Sequence, residues 1–84
     1  MSYAVSILRR AQRELEGLPR EEFARVAHAL RGLAAVPRPP GCRKLTGRNA
    51  WRVRIGSYRV IYEIDDRRRT VLVVHVGHRR DAYR

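Results

Sequence analysis

The chain has 84 residues, 44% hydrophobic and 32% charged, which fits one small soluble domain with a single modest core. Its one cysteine, Cys42, rules out an intramolecular disulfide and a cysteine-based metal site, and fits a reducing cytoplasm. No stretch nears the roughly 18 apolar residues of a membrane helix, and the opening MSYAVSILRR lacks the layout of a signal peptide.

Net charge is +11 and the charge is uneven. Residues 1–40 hold seven arginines against four glutamates, whereas residues 41–84 hold twelve arginines and lysines against four acids. Only Lys44 is a lysine. Arginine keeps its charge at any working pH and grips phosphate bidentately. A basic half on a small domain implies a polyanionic partner, most simply nucleic acid. Composition alone leaves a merely solubilising surface as an equal reading.

In chain order, residues 2–8 read as a strand, with Tyr3, Val5 and Ile7 alternating against smaller residues. Residues 9–16 have helical character, with Gly17 as the stop. Pro19 suits the first turn of a second helix, and Glu21 and Glu22 favour its positive end. Phe23, Val26, Ala27, Leu30 and Leu33 or Ala34 form an apolar stripe at helical spacing. Three prolines in residues 36–41 end it. Residues 42–45 predict a short edge strand and residues 46–50 a turn.

WRVRIGSYRVIYEI, residues 51–64, predicts two strands joined at Gly56-Ser57. Strand side chains alternate between faces, so Trp51, Val53 and Ile55 share one side while Arg52 and Arg54 share the other. Past the turn, Tyr58, Val60, Tyr62 and Ile64 form one set and Arg59, Ile61 and Glu63 the other. The hairpin therefore gathers Arg52, Arg54 and Arg59 on one open surface. Residues 65–69 predict a charged turn. TVLVVHV, residues 70–76, reads as a central strand buried on both faces and ended by Gly77. The order β-α-α-β-β-β-β predicts one α+β domain spanning 1–84, a mostly antiparallel sheet with a helical hairpin on one face.

KLTG at 44–47, the 51–64 stretch and VLVVHVGHRRDAY at 71–83 resemble the RelE branch of the RelE/ParE toxin superfamily, the toxins of bacterial type II toxin–antitoxin pairs. The likeness covers nearly the whole chain. It implies a small cytoplasmic ribonuclease that cuts mRNA in the ribosomal A site and is silenced by a cognate antitoxin. By position it implies catalytic roles for Arg54, Arg59, His78, Arg79 and Tyr83, and RNA-binding roles for Lys44, Arg52 and Arg80. Two departures stand out: arginines occupy 52 and 54, where well-known members carry lysines, and only one residue follows Tyr83.

RNA is cut without metal or cofactor when its own 2′-OH attacks the adjacent phosphate. The step needs a proton acceptor, a proton donor for the leaving 5′-oxygen, and positive charge around the transition state. Arg52, Arg54, Arg59 and Arg79 meet the charge requirement. A guanidinium is deprotonated in roughly one molecule in 10⁵ or fewer at pH 7, and a phenol ionised in roughly one in 10³. An ordinary imidazole titrates near 6.5, which favours either His78 as a proton shuttle or arginines that act mostly electrostatically. Tyr83 either stacks on a base or orients the 2′-OH, the latter being favoured.

Each residue also has a plainer reading. For Arg52, Arg54 and Arg59 the lesser reading is a solvated strand face, whereas Arg67 to Arg69 read first as a solvated turn and second as a contact to ribosomal RNA phosphates. His75 lies within an apolar strand and reads as structural, Trp51 as a core anchor, and Tyr58 and Tyr62 as core. Glu63 has the parity to pair with an arginine. Three scattered histidines do not make a metal site. Two other functions stay open: a ParE-like gyrase inhibitor that cuts no RNA, and a non-catalytic basic module that binds RNA and an antitoxin.

Overall fold

Apolar periodicity decides which face of each element turns inward. The computed structural model describes residues 2–78. In chain order they form β1 (Ala4–Ile7), α1 (Arg9–Glu16), α2 (Arg20–Gly32), β2 (Arg43–Lys44), β3 (Trp51–Ile55), β4 (Tyr58–Asp65) and β5 (Thr70–His78). The strands make one sheet in the order β1-β5-β4-β3-β2. β1 runs parallel to β5, and the other three pairings are antiparallel. This is the α+β arrangement expected from the sequence.

Both helices cover the same side of the sheet. Ala11 and Leu15 of α1, with Val26, Leu30 and Leu33 on and just past α2, pack on Val60, Tyr62 and Ile64 of β4 and on Val71, Val73 and Val76 of β5. Burying each of the larger of these side chains contributes about 1.5–3 kcal/mol. Tyr62 is fully buried, and its hydroxyl donates to the Pro37 carbonyl at 2.8 Å, which replaces the hydrogen bond lost to water. Burial pushes the Tyr62 phenol well above its ordinary value.

The structure departs from the sequence reading in four places. Pro19 precedes α2 rather than opening it, whereas Gly17 ends α1 as expected, in a right-handed conformation at φ −80°. Phe23 lies on the helix's outer flank and is 37% exposed. β5 runs through Gly77 to His78, because Gly77 pairs with Arg59 in the ladder. Nor is β5 buried on both faces: Val71, Val73 and Val76 are buried, while Leu72 and Val74 are only half covered. The spacing from Val73 to Val76 breaks strict alternation. Ile61 faces His75 and Tyr62 faces Val73, so Val74 is an extra residue, a bulge that resets the facing of everything after it.

A polar latch ties the proline-rich segment to the sheet. Arg38 donates to both carboxylate oxygens of Asp66 at 3.2 and 2.9 Å, and the Tyr3 hydroxyl donates to the same group at 2.7 Å. The guanidinium also stacks 4.8 Å from the Trp51 ring centroid. Trp51 is thus half-buried under an arginine rather than sealed in the core. The Arg38 bond, aided by Tyr3, holds the Asp66 carboxyl below its ordinary value. A group depressed on folding stabilises above its unfolded pKa, and that contribution fades as pH falls through the folded value. Asp66→Asn should therefore lower the urea midpoint at neutral pH. The gap from wild type should close as pH drops well below about 3.9. A gap independent of pH would show that the charge of Asp66 is irrelevant.

Candidate nucleic-acid interface

The face opposite the helices carries the arginines. Gly56 takes φ +60°, and the two-residue Gly56-Ser57 turn fixes the hairpin register. That register sets Arg54 directly across from Arg59, and Val53 across from Val60 on the other face. One step along, Arg52 pairs with Ile61 and, on its other side, with Arg43 of β2. Arg43, Arg52, Arg54 and Arg59, walled by Gly41, line a cleft of about 400 Å³. Arg59 is only 4% exposed, whereas Arg54 is exposed at the rim.

Like charges directly opposite in a ladder destabilise by about 0.2–1 kcal/mol, and four guanidinium groups around one cleft repel each other. An anion relieves that repulsion, and arginine forks match phosphate oxygens. The chemistry of the cleft suits an anion with phosphate-like oxygens. Among the described residues, no group of three or more His, Cys, Asp or Glu is placed to hold a metal ion.

The sequence expectations fare unevenly. Arg52, Arg54 and Arg59 are brought together as expected. Lys44 is not with them: it pairs with Trp51, takes the opposite parity, and lines a separate cleft with Trp51, Arg38 and Asp66. Arg43 stands in the place expected for Lys44, because the two-residue β2 sets its parity from pairing with Arg52. His78 is also elsewhere. It pairs with Tyr58 on the helix face, their rings edge-to-face at 5.7 Å between centroids, beside Pro19 and Arg20 at the start of α2. The bulge at Val74 is the cause: it leaves Val76 and His78 facing the helices and Gly77 facing the arginines. Arg79, Arg80 and Tyr83 lie outside the described residues.

His75, read from sequence as structural, pairs with Ile61 and so belongs to the row Arg43, Arg52, Ile61, His75. Its signal in the sequence was Gly77, two residues on. A side chain at 77 would meet the imidazole at 2.7 Å, so only glycine leaves the ring its place.

The chain resembles known proteins along its whole length. The family described as the ParE toxin of the type II toxin–antitoxin system, parDE, matches residues 5–83. Toxin RelG of Mycobacterium tuberculosis is 38% identical over 88 residues, taking in 100% of this chain and 99% of that protein. A chain of the RelBE2 toxin–antitoxin complex of Mycobacterium tuberculosis superposes with a TM-score of 0.84 at 32% identity, over 94% of this chain and 100% of that one. A chain of the archaeal RelE–RelB complex of Pyrococcus horikoshii gives a TM-score of 0.84 at 27% identity, over 94% and 97%.

Proposed function

This chain belongs to the RelE/ParE superfamily of type II toxins, and from that premise we propose that it is a cytoplasmic endoribonuclease that cuts mRNA in the ribosomal A site. The observation that carries the reading is the opposed Arg54–Arg59 pair beside Arg43 and Arg52 in one cleft. In this proposal the scissile phosphate sits in the cleft, and the 2′-OH attacks it to leave a 2′,3′-cyclic phosphate. Arg54 and Arg59 neutralise the charge that builds on the phosphorane-like transition state. Arg43 and Arg52 hold the flanking phosphates.

Arg79, Arg80 and Tyr83 follow β5 in the chain and complete the set: Arg79 as a further charge, Arg80 on the RNA backbone, Tyr83 orienting the 2′-OH. The position of His78 on the helix face argues against its acting as the shuttle in the cleft. A ribosome that holds the RNA in line supplies part of what a base would, since positioning alone is worth several kcal/mol. The RelBE2 structure is a toxin–antitoxin complex, and the archaeal structure is a complex of RelE with RelB. By analogy this toxin has a cognate antitoxin of its own, silencing it by covering the cleft.

Purified protein added to translating ribosomes should cut mRNA at codons in the A site and leave gyrase supercoiling unaffected. Intact mRNA with inhibited supercoiling would establish the gyrase reading. Intact mRNA and active gyrase, with the protein shown folded, would leave the non-catalytic module.

A further inference from the structure

β1 stops at Ile7, opposite Val73, so the edge of β5 is bare from Val74 onward. α1 fills that gap. Glu14 Oε1 accepts the Val76 backbone N–H at 2.9 Å, which continues the ladder with a side chain where the neighbouring strand has ended. Its other oxygen, Oε2, lies 3.0 Å from His75 Nδ1. Arg10 Nη2 is 3.2 Å from the same nitrogen, and Arg10 Nε is 3.6 Å from Glu14 Oε2. One ring nitrogen does not both donate and accept. The carboxylate is the stronger acceptor, so Nδ1–H faces Glu14 and Arg10 packs alongside. The His75 and Glu14 side chains are only 17% and 27% exposed.

The ring so held lies over Gly77, with Nε2 2.7 Å from where a Cβ would stand. Gly77 is the ladder partner of Arg59, so a Cβ there would project to the same side as the Arg59 side chain. The imidazole therefore flanks Arg59 on the β5 side, and Arg54 stands across from it on the β3 side. We infer that Glu14, His75 and the missing side chain of Gly77 form a buttress that aims the Arg59 guanidinium into the cleft. His75 is thus a positioning residue, and its catalytic meaning rests on the proposed ribonuclease reading.

Gly77→Ala separates this role from general stability. Gly77 has no left-handed φ, so alanine suits the strand, and its one conflict is with the His75 ring. Gly77→Ala should slow single-turnover RNA cleavage by about 10- to 100-fold, since a displacement near 1 Å costs up to about 10²-fold. The ribosome concentration at half-saturation should not change. In a His75→Ala background the same substitution should add less than about twofold, because no ring remains to displace. His75→Gln, planar and able to donate to Glu14, should retain more activity than His75→Ala. A second readout needs no cleavage: the Arg59 Nε is shielded from solvent, and its N–H exchange by NMR should speed up about tenfold in Gly77→Ala with core amides unchanged. Equal effects of Gly77→Ala with and without His75, or unchanged Arg59 exchange, would overturn the buttress. If the wild type cuts no RNA, the ribonuclease reading fails on its own, and the exchange rates still decide the positioning.

Discussion

Arg59→Ala should slow RNA cleavage by about 10²–10³-fold, the usual loss when one preorganised donor to a developing negative charge is removed. Arg59 is the buried member of the cleft, so its guanidinium is held before substrate arrives and pays little ordering entropy on binding. Arg59→Lys should recover only part of the rate, because an ammonium lacks the planar fork that spans two phosphate oxygens. Arg54→Gln gives the complementary result. Arg54 is exposed and sits directly opposite Arg59, so neutralising it should lower activity yet raise stability by up to about 1 kcal/mol. A residue that harms the fold but serves the chemistry behaves this way. Chemical denaturation run beside the cleavage assay reads both effects. If Arg54→Gln destabilised the fold without touching activity, the arginine face would be structural.

The second large effect is on stability. Tyr62 is fully buried beneath both helices, and its hydroxyl meets the Pro37 carbonyl at 2.8 Å. Tyr62→Ala should cost about 3–5 kcal/mol through lost burial and the cavity left behind. An 84-residue domain has roughly 4–13 kcal/mol in total, so the variant would be partly unfolded at growth temperature. Tyr62→Phe keeps the ring and removes the hydroxyl. It should cost about 1–3 kcal/mol if the Pro37 carbonyl is left dry, and the proline-rich segment that walls the arginine cleft should loosen with it. Urea midpoints for the two variants separate packing from the tether. Equal losses would mean that the hydroxyl carries the whole contribution.

The hairpin was legible in the sequence because two local rules agree. A two-residue glycine turn fixes the register, and period-two alternation then assigns the faces, so Arg54 and Arg59 fall together without knowledge of the rest of the fold. The stripe Val26, Leu30, Leu33 was legible for the same kind of reason: one period, one buried face. What stayed hidden depends on partners distant in sequence. The parallel pairing of β1 with β5 joins residues about 66 apart. The facing of Arg43 is decided by two ladder residues, too few to show alternation. The bulge at Val74 adds one residue to an otherwise uniform apolar run, where nothing in the side chains marks it. That single insertion turned His78 toward the helices and left His75 on the arginine face.

The proposed reaction requires a phosphodiester held among Arg43, Arg52, Arg54 and Arg59 while the adjacent 2′-oxygen attacks. The most direct test is single-turnover cleavage of an A-site codon carrying one 2′-deoxy sugar at the scissile nucleotide, compared with the all-ribose message. Cleavage of the ribose message to a 2′,3′-cyclic phosphate, with the deoxy message bound but uncut, is the predicted result. Cutting of the deoxy message at a similar rate, or products ending in a 3′-hydroxyl, would contradict it.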